Sequence, residues 1–135
     1  MKKKHKTVFT NGCFDILHRG HLELLRYCAS IGNKVVIGLN SDDSIRIIKG
    51  EKRPINCAED RKELLLALKF VDKVVFFDEI TPYEIIKKIK PDIIVKGGDY
   101  TKDSVVGNDI AEVRIFEYID GYSTTKIIEN ISNRR

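Results

Sequence analysis

The 135-residue sequence predicts an α/β fold, a five-stranded parallel sheet with helices on both faces, and three observations predict it. Short apolar runs alternate with helical patterns along the whole chain, as parallel strands joined by crossover helices require. Two of those runs, "KVVIGLN" and "DIIV", are apolar at successive positions, the mark of strands buried on both sides. The unusual polar stretches follow strand candidates, which is where ligands bind in such sheets.

The first strand spans Thr7 to Thr10, and an Asn-Gly turn separates it from a helix over "HLELLRYCASIG". Leu22, Leu25, Cys28 and Ala29 recur there at helical spacing, with Gly32 placed for a left-handed cap. Lys34 to Asn40 is a central strand, and Ser41-Asp42 caps a short helix through Ile48. The loop "KGEKRPIN" leads to a helix from Ala58 to Phe70, whose buried stripe is Leu64, Leu65, Ala67 and Leu68. Lys73 to Phe77 is the next strand, and Thr81-Pro82 supplies a cap and first-turn proline for "YEIIKKIK". A strand over Asp92 to Val95, a glycine pair, a strand over Val113 to Glu117 and a helix from Ser123 to Ile131 complete the set.

The length suits one domain over residues 1–135, without repeats, low-complexity segments or linkers. Apolar content of 42% and charged content of 33% are globular values, and no run is apolar enough to span a membrane. Cys13, Cys28 and Cys57 form neither an even set nor a CxxC pair, so reduced thiols are expected. The basic start lacks the apolar stretch of a signal peptide, which points to a cytoplasmic address. The net charge of +4 suits a small anionic substrate, although terminal lysines and arginines contribute to it. No nucleic-acid or membrane partner is expected.

"FTNGCFDILHRGHLELL" is the most informative stretch, with His18 and His21 flanking Arg19-Gly20 where a strand gives way to a helix. Three readings compete. A three-residue spacing can set two imidazoles on one helical face for a metal, but further ligands are needed. The pair can also be a simple cap or packing element. Gly20 at a helix start lets ring and backbone nitrogens approach one anion, and helix amides favour negative charge there, so phosphate binding fits best. Neither GxxxxGK[ST] nor GxGxxG is present, so the anion site is of another type.

"HRGH" is an instance of HxGH, and the sequence resembles the nucleotidyltransferases that carry this signature. The likeness extends in order through "TNGCFDILHRGH", "NSDDSIRIIKGEKRPIN", "TPYEIIKKIKPDIIVKGGDY" and "DGYSTTKII", nearly the whole chain. "KGEKRPIN" and "VKGGDY" are most similar to the heptose 1-phosphate adenylyltransferases, which make ADP-heptose for lipopolysaccharide and related glycans. The rival resemblance is to glycerol-3-phosphate cytidylyltransferase, whose terminal motif has an arginine where this chain has Tyr118.

This resemblance implies a Rossmann-like nucleotidyltransferase fold, a homodimer, ATP (or CTP) and a phosphorylated sugar as substrates, and Mg²⁺. The implied reaction is in-line attack by a sugar phosphate oxygen on the α-phosphorus, with pyrophosphate leaving. His18 and His21 are the expected α-phosphate contacts, each donating one N–H without being protonated. Lys49 and Arg53 are expected to fold over the phosphates, a solvated loop being the alternative. Arg61 is expected to bind the sugar phosphate or triphosphate, with a surface ion pair as its alternative. Asn11, Gly12, Cys13, Phe14 and Gly20 belong to the expected nucleotide site, Cys13 as a small packed residue rather than a nucleophile. Gly97, Gly98 and Asp99 border the base. Ser123, Thr124 and Thr125 open the last helix, where they can hold the β- or γ-phosphate or merely cap. Asp15 is the nearest carboxylate to the histidines, assigned to substrate and to Mg²⁺, most of whose ligands come from phosphate. A nucleotide-binding domain without catalysis remains the non-enzyme alternative.

Overall fold

The computed structural model describes residues 5–98, 100–117 and 121–134. Strands β1 (Thr7–Gly12), β2 (Lys34–Asn40), β3 (Lys73–Phe77), β4 (Ile93–Gly97) and β5 (Glu112–Phe116) form one sheet in the order β3-β2-β1-β4-β5. Every pairing is parallel. Helices α1 (Arg19–Ile31), α2 (Asp42–Lys49), α3 (Ala58–Leu66), α4 (Tyr83–Ile89) and α5 (Thr124–Asn133) supply the connections and the last element.

Side-chain alternation divides the core in two. Val8, Val35, Ile37, Leu39 and Val95 join Leu24, Leu25 and Cys28 of α1 and Leu65 of α3 on one face. Phe9, Val36, Ile94 and Val113 pack with Ile86 of α4 and Val105 of the β4–β5 connection on the other. The apolar reading of β2 holds, since six of its seven residues are buried. Strand order reverses between β1 and β4, so the crevice at their carboxyl ends is the topological switch point where this architecture binds ligands.

Several expectations are corrected. Helix α3 ends at Leu66, not Phe70, and its buried positions are Arg61 and Leu65, while Leu64 is exposed. Leu24 rather than Leu22 lies in the α1 stripe. Gly32 is extended, not left-handed, and its glycine identity has another cause: a Cβ there would lie 2.4 Å from Val8 Cγ2. Pro82, not Thr81, is the cap position of α4 and makes no side-chain cap bond. Among the described residues no helix is long and apolar enough to cross a membrane.

Candidate active site

The β1–α1 loop carries the left-handed backbone of two non-glycine residues, Phe14 at φ 47° and Ile16 at φ 61°. Such conformations cost about 1–2 kcal/mol each and persist only where their surroundings fix them. Here Asp15, between them, is the fixing point. Its buried carboxylate accepts the N–H groups of Ile55 at 2.6 Å and Asn56 at 2.9 Å, and Arg53 Nε donates to it at 3.3 Å. Thr124 Oγ1 donates to the Asp15 carbonyl at 2.5 Å, tying the start of α5 to the same loop.

The loop delivers the chain to His18, the N-cap of α1. The two histidines cap reciprocally: the His21 N–H donates to His18 Nδ1 at 3.4 Å, and the His18 N–H donates to His21 Nδ1 at 3.3 Å. Their rings stack with centroids 3.8 Å apart, and the His21 ring also meets Phe14 at 5.1 Å. An Nδ1 that accepts an N–H is unprotonated, so each neutral ring carries its proton on Nε2. Burial pushes the pKa of His18 down, and burial together with the neighbouring His18 pushes that of His21 down to about 4. Two uncharged Nε2–H donors therefore stand at a helix N-terminus, whose free amides add to the attraction for an anion. Gly20 makes the stacking possible, because a Cβ there would sit 2.8 Å from His18 Cε1 and 3.2 Å from Tyr122 Cβ.

The remaining expected residues separate into those that face this crevice and those that build it. Asn11 and Gly12 end β1, and Cys13 follows with its Sγ 4.0 Å from Asn40 Oδ1. Burial raises the Cys13 pKa, which keeps the thiol neutral and unfit as a nucleophile. Lys49 ends α2 and is exposed, and its charge acts on Cys13. Gly97 ends β4, and the Gly98 N–H donates to the Phe116 carbonyl at 3.1 Å, closing the β4–β5 pair. Ser123 caps α5 by accepting the Lys126 N–H at 3.0 Å, and Thr125 is exposed in the first turn. Asp99 and Tyr118 lie outside the described residues.

Three expectations are revised. Arg61 is neither a surface ion pair nor a free phosphate ligand, being 1% exposed. Its Nε donates to the Asn56 carbonyl, Nη1 to the carbonyls of Cys13 and Asn40 at 2.8 Å each, and Nη2 to Asp42 at 2.7 Å. These bonds join the ends of β1 and β2 to the loop before α3. The Asp15 oxygens are likewise turned inward, onto two N–H groups and a guanidinium, so its carboxylate anchors the loop at 50–56. Among the described residues no group of three or more His, Cys, Asp or Glu side chains could hold a metal. Arg53, expected as a mobile cation, is pinned through Nε to Asp15 in this structure.

Sequence reasoning passed over Asn40 and Lys96. Asn40, 4% exposed, ends β2 and donates to Ser44 Oγ at 3.2 Å. Lys96 is half-buried near the end of β4, within reach of the charge of Lys49. Its signal was visible: a lysine closing the otherwise apolar run "IIV".

A parallel sheet with two neutral imidazole donors at the first helix N-terminus, beside the switch point, places the HxGH motif where this architecture binds ligands. The chain belongs to the cytidylyltransferase-like family, whose model matches residues 9–130. It is 53% identical over 135 residues to the bifunctional protein HldE of Campylobacter concisus, covering 99% of this chain and 29% of that one. It is 55% identical over 127 residues to the bifunctional protein HldE of Sulfurimonas denitrificans, covering 93% and 27%. The chain thus spans less than a third of the length of these curated relatives. Among solved structures it is similar to a lipopolysaccharide core biosynthesis protein from Thermoplasma volcanium, with TM-score 0.70 and 28% identity, over 87% of this chain and 98% of that one. A pantothenate synthetase from Thermus thermophilus shares the fold at TM-score 0.61 and 17% identity, over 87% and 57%.

Proposed function

We propose that this chain transfers the adenylyl group of ATP to a sugar 1-phosphate, heptose 1-phosphate foremost, giving an ADP-sugar and pyrophosphate. The observation that carries the reading is the reciprocal cap, which fixes two Nε2–H donors at the start of α1 without charging either ring. A phosphate monoester is already an ionised nucleophile, so the chemistry needs placement and charge stabilisation rather than a protein base. The histidines donate to the α-phosphate, whose oxygens gain charge as the new O–P bond forms and the bond to the leaving pyrophosphate breaks. The α5 N-terminus, with Thr125 exposed, faces the triphosphate, and Lys49 at the end of α2 and Arg53 of the α2–α3 loop, its Nε held by Asp15, stand beside it. The glycines closing β4 leave room for a flat base.

Support for the sugar and the donor comes from the motifs "KGEKRPIN" and "VKGGDY", from relatives named as bifunctional of which this chain matches under a third, and from the Thermoplasma protein of lipopolysaccharide core biosynthesis. Mg²⁺ enters with the nucleotide on phosphate oxygens and neutralises their charge. The reading includes one domain over residues 1–135, acting in the cytoplasm as a homodimer, which light scattering tests. The activity itself is tested by pyrophosphate release with ATP or CTP against heptose 1-phosphate and glycerol 3-phosphate. ATP with heptose 1-phosphate is expected to give the highest kcat/KM. A tenfold preference needs about 1.4 kcal/mol of differential transition-state binding, within reach of a few loop contacts. A higher value for CTP with glycerol 3-phosphate contradicts the adenylyltransferase reading and favours a cytidylyltransferase.

A further inference from the structure

Lys34, Lys73 and Lys88 line one cleft at the amino-terminal end of the sheet, the end away from the histidines. The cleft, about 400 Å³, is floored by Val36 of β2, Val75 of β3 and Ile85 and Ile89 of α4, all of which lie in or against the α4-side core. Strand alternation puts Lys34 on the same face as Val36, and Lys73 on the same face as Val75. Register sets Lys73 directly beside Val36, and Thr7 beside Lys34. Cations and apolar floor therefore face one space.

The cleft follows from unequal cover on the two faces of the sheet. Helices α1 and α3 both enter the core on one face. The other face takes α4, seven residues long, and the β4–β5 connection, whose Gly107 lies against Ile94 of β4. Among the described residues, α4 is thus the element that stands over the starts of β2 and β3.

Among the described residues none of the three lysines forms an ion pair. Two acids at this end of the sheet are occupied: Asp72 Oδ2 accepts the Val35 N–H at 2.7 Å, and Asp92 Oδ2 accepts the Thr7 N–H at 2.8 Å. A lysine on an edge strand such as β3 guards against edge pairing, but Lys34 stands in β2, which is paired on both sides. A concave apolar floor ringed by unpaired ammonium groups is complementary to a molecule with an apolar body and an anionic head.

We propose that this cleft binds a dissolved alkyl phosphate, its chain on the valines and isoleucines of the floor and its phosphate among Lys34, Lys73 and Lys88. The site is separate from the nucleotide crevice, because β1 runs from Thr7 at the cleft to Gly12 at the crevice, about 16 Å along the strand. It is a binding site without chemistry of its own, and it stands independently of the transferase reading.

The test is titration of the full chain with octyl phosphate below its micelle concentration, read by calorimetry and by methyl chemical shifts. One octyl phosphate should bind per chain and move the methyl signals of Val36, Val75, Ile85 and Ile89. Inorganic phosphate and octanol should each bind at least about tenfold more weakly, since each offers half of the complementary surface. Lys73→Gln combined with Lys88→Gln should lose about tenfold or more in octyl phosphate affinity. Lys62→Gln combined with Lys69→Gln, the same change of charge on and after α3, should lose less than about twofold. Melting temperatures check that both variants fold, and saturating ATP should leave octyl phosphate binding unchanged. Equal affinity in the wild type and in Lys73→Gln/Lys88→Gln, or displacement by ATP, overturns the site. A wild-type dimer that Lys73→Gln/Lys88→Gln converts to monomers also overturns it, because a second copy then covers the cleft.

Discussion

His18 and His21 each accept the other's backbone N–H at Nδ1, at 3.4 Å and 3.3 Å, so a single reciprocal cap sets the tautomer of both rings. Capping and tautomer are thus one arrangement: what starts α1 also keeps the proton of each neutral ring on Nε2.

The first prediction is a pH dependence of stability. His21 is held near pKa 4 in the folded protein against an ordinary 6.5, because burial and His18 oppose its charge. Between those values the unfolded chain takes up a proton that the folded chain refuses, so this contribution is complete above pH 6.5 and is lost as pH falls toward 4. Urea midpoints should drop across that window in the wild type and drop less in His21→Gln. Equal acid sensitivity of the two proteins contradicts the neutral pair.

Gly20→Ala separates helix propensity from ring packing. Alanine favours a helix by about 1 kcal/mol over glycine, yet its Cβ would fall 2.9 Å from His18 Nδ1 and force the ring out of the cap. Turnover should fall by about tenfold or more with little loss of melting temperature. Wild-type turnover in this variant would show that the stacking is dispensable.

Arg61→Met should behave as a fold variant. It leaves the Cys13, Asn40 and Asn56 carbonyls and the Asp42 carboxylate without their donor, and each buried acceptor left unsatisfied costs about 1–3 kcal/mol. Urea unfolding checks it. Unchanged stability with only a raised substrate KM would return Arg61 to the role of a substrate ligand.

Asp15→Asn distinguishes a loop anchor from a metal ligand. The amide presents one oxygen where two N–H groups and Arg53 were satisfied, so the loop at 50–56 should become protease-sensitive and kcat/KM should fall. Raising Mg²⁺ should not restore activity. Recovery at high Mg²⁺ would identify Asp15 as a direct ligand.

The strand and helix sequence was legible because apolar runs in a parallel sheet are nearly continuous, as in "KVVIGLN", and Ser41 and Ser123 cap where their side chains require. The histidine site was legible through Gly20 at a strand-to-helix junction. What stayed hidden was long-range. Nothing in the spacing of Asp15 shows that it accepts from residues 40 and 41 positions away, or that Arg61 reaches back 48 residues to Cys13. A charged side chain in a helix reads as surface, and only the closing of β1, β2 and the α3 approach around one guanidinium buries it. Lys96 escaped for the converse reason, since a lysine at a strand end reads as a solvated terminus.

The measurement that tests the account most directly is the single-turnover rate of nucleotide transfer at saturating ATP in His18→Ala and His21→Ala, with ATP affinity measured in parallel and folding checked by circular dichroism. Donors that act on charge developing at the phosphorus contribute to rate more than to binding, so each variant should lose on the order of a hundredfold or more in rate while ATP affinity changes by less than about tenfold. Near-wild-type transfer in both variants, or a loss confined to ATP affinity, would contradict the assignment of the histidine pair to the reacting phosphate.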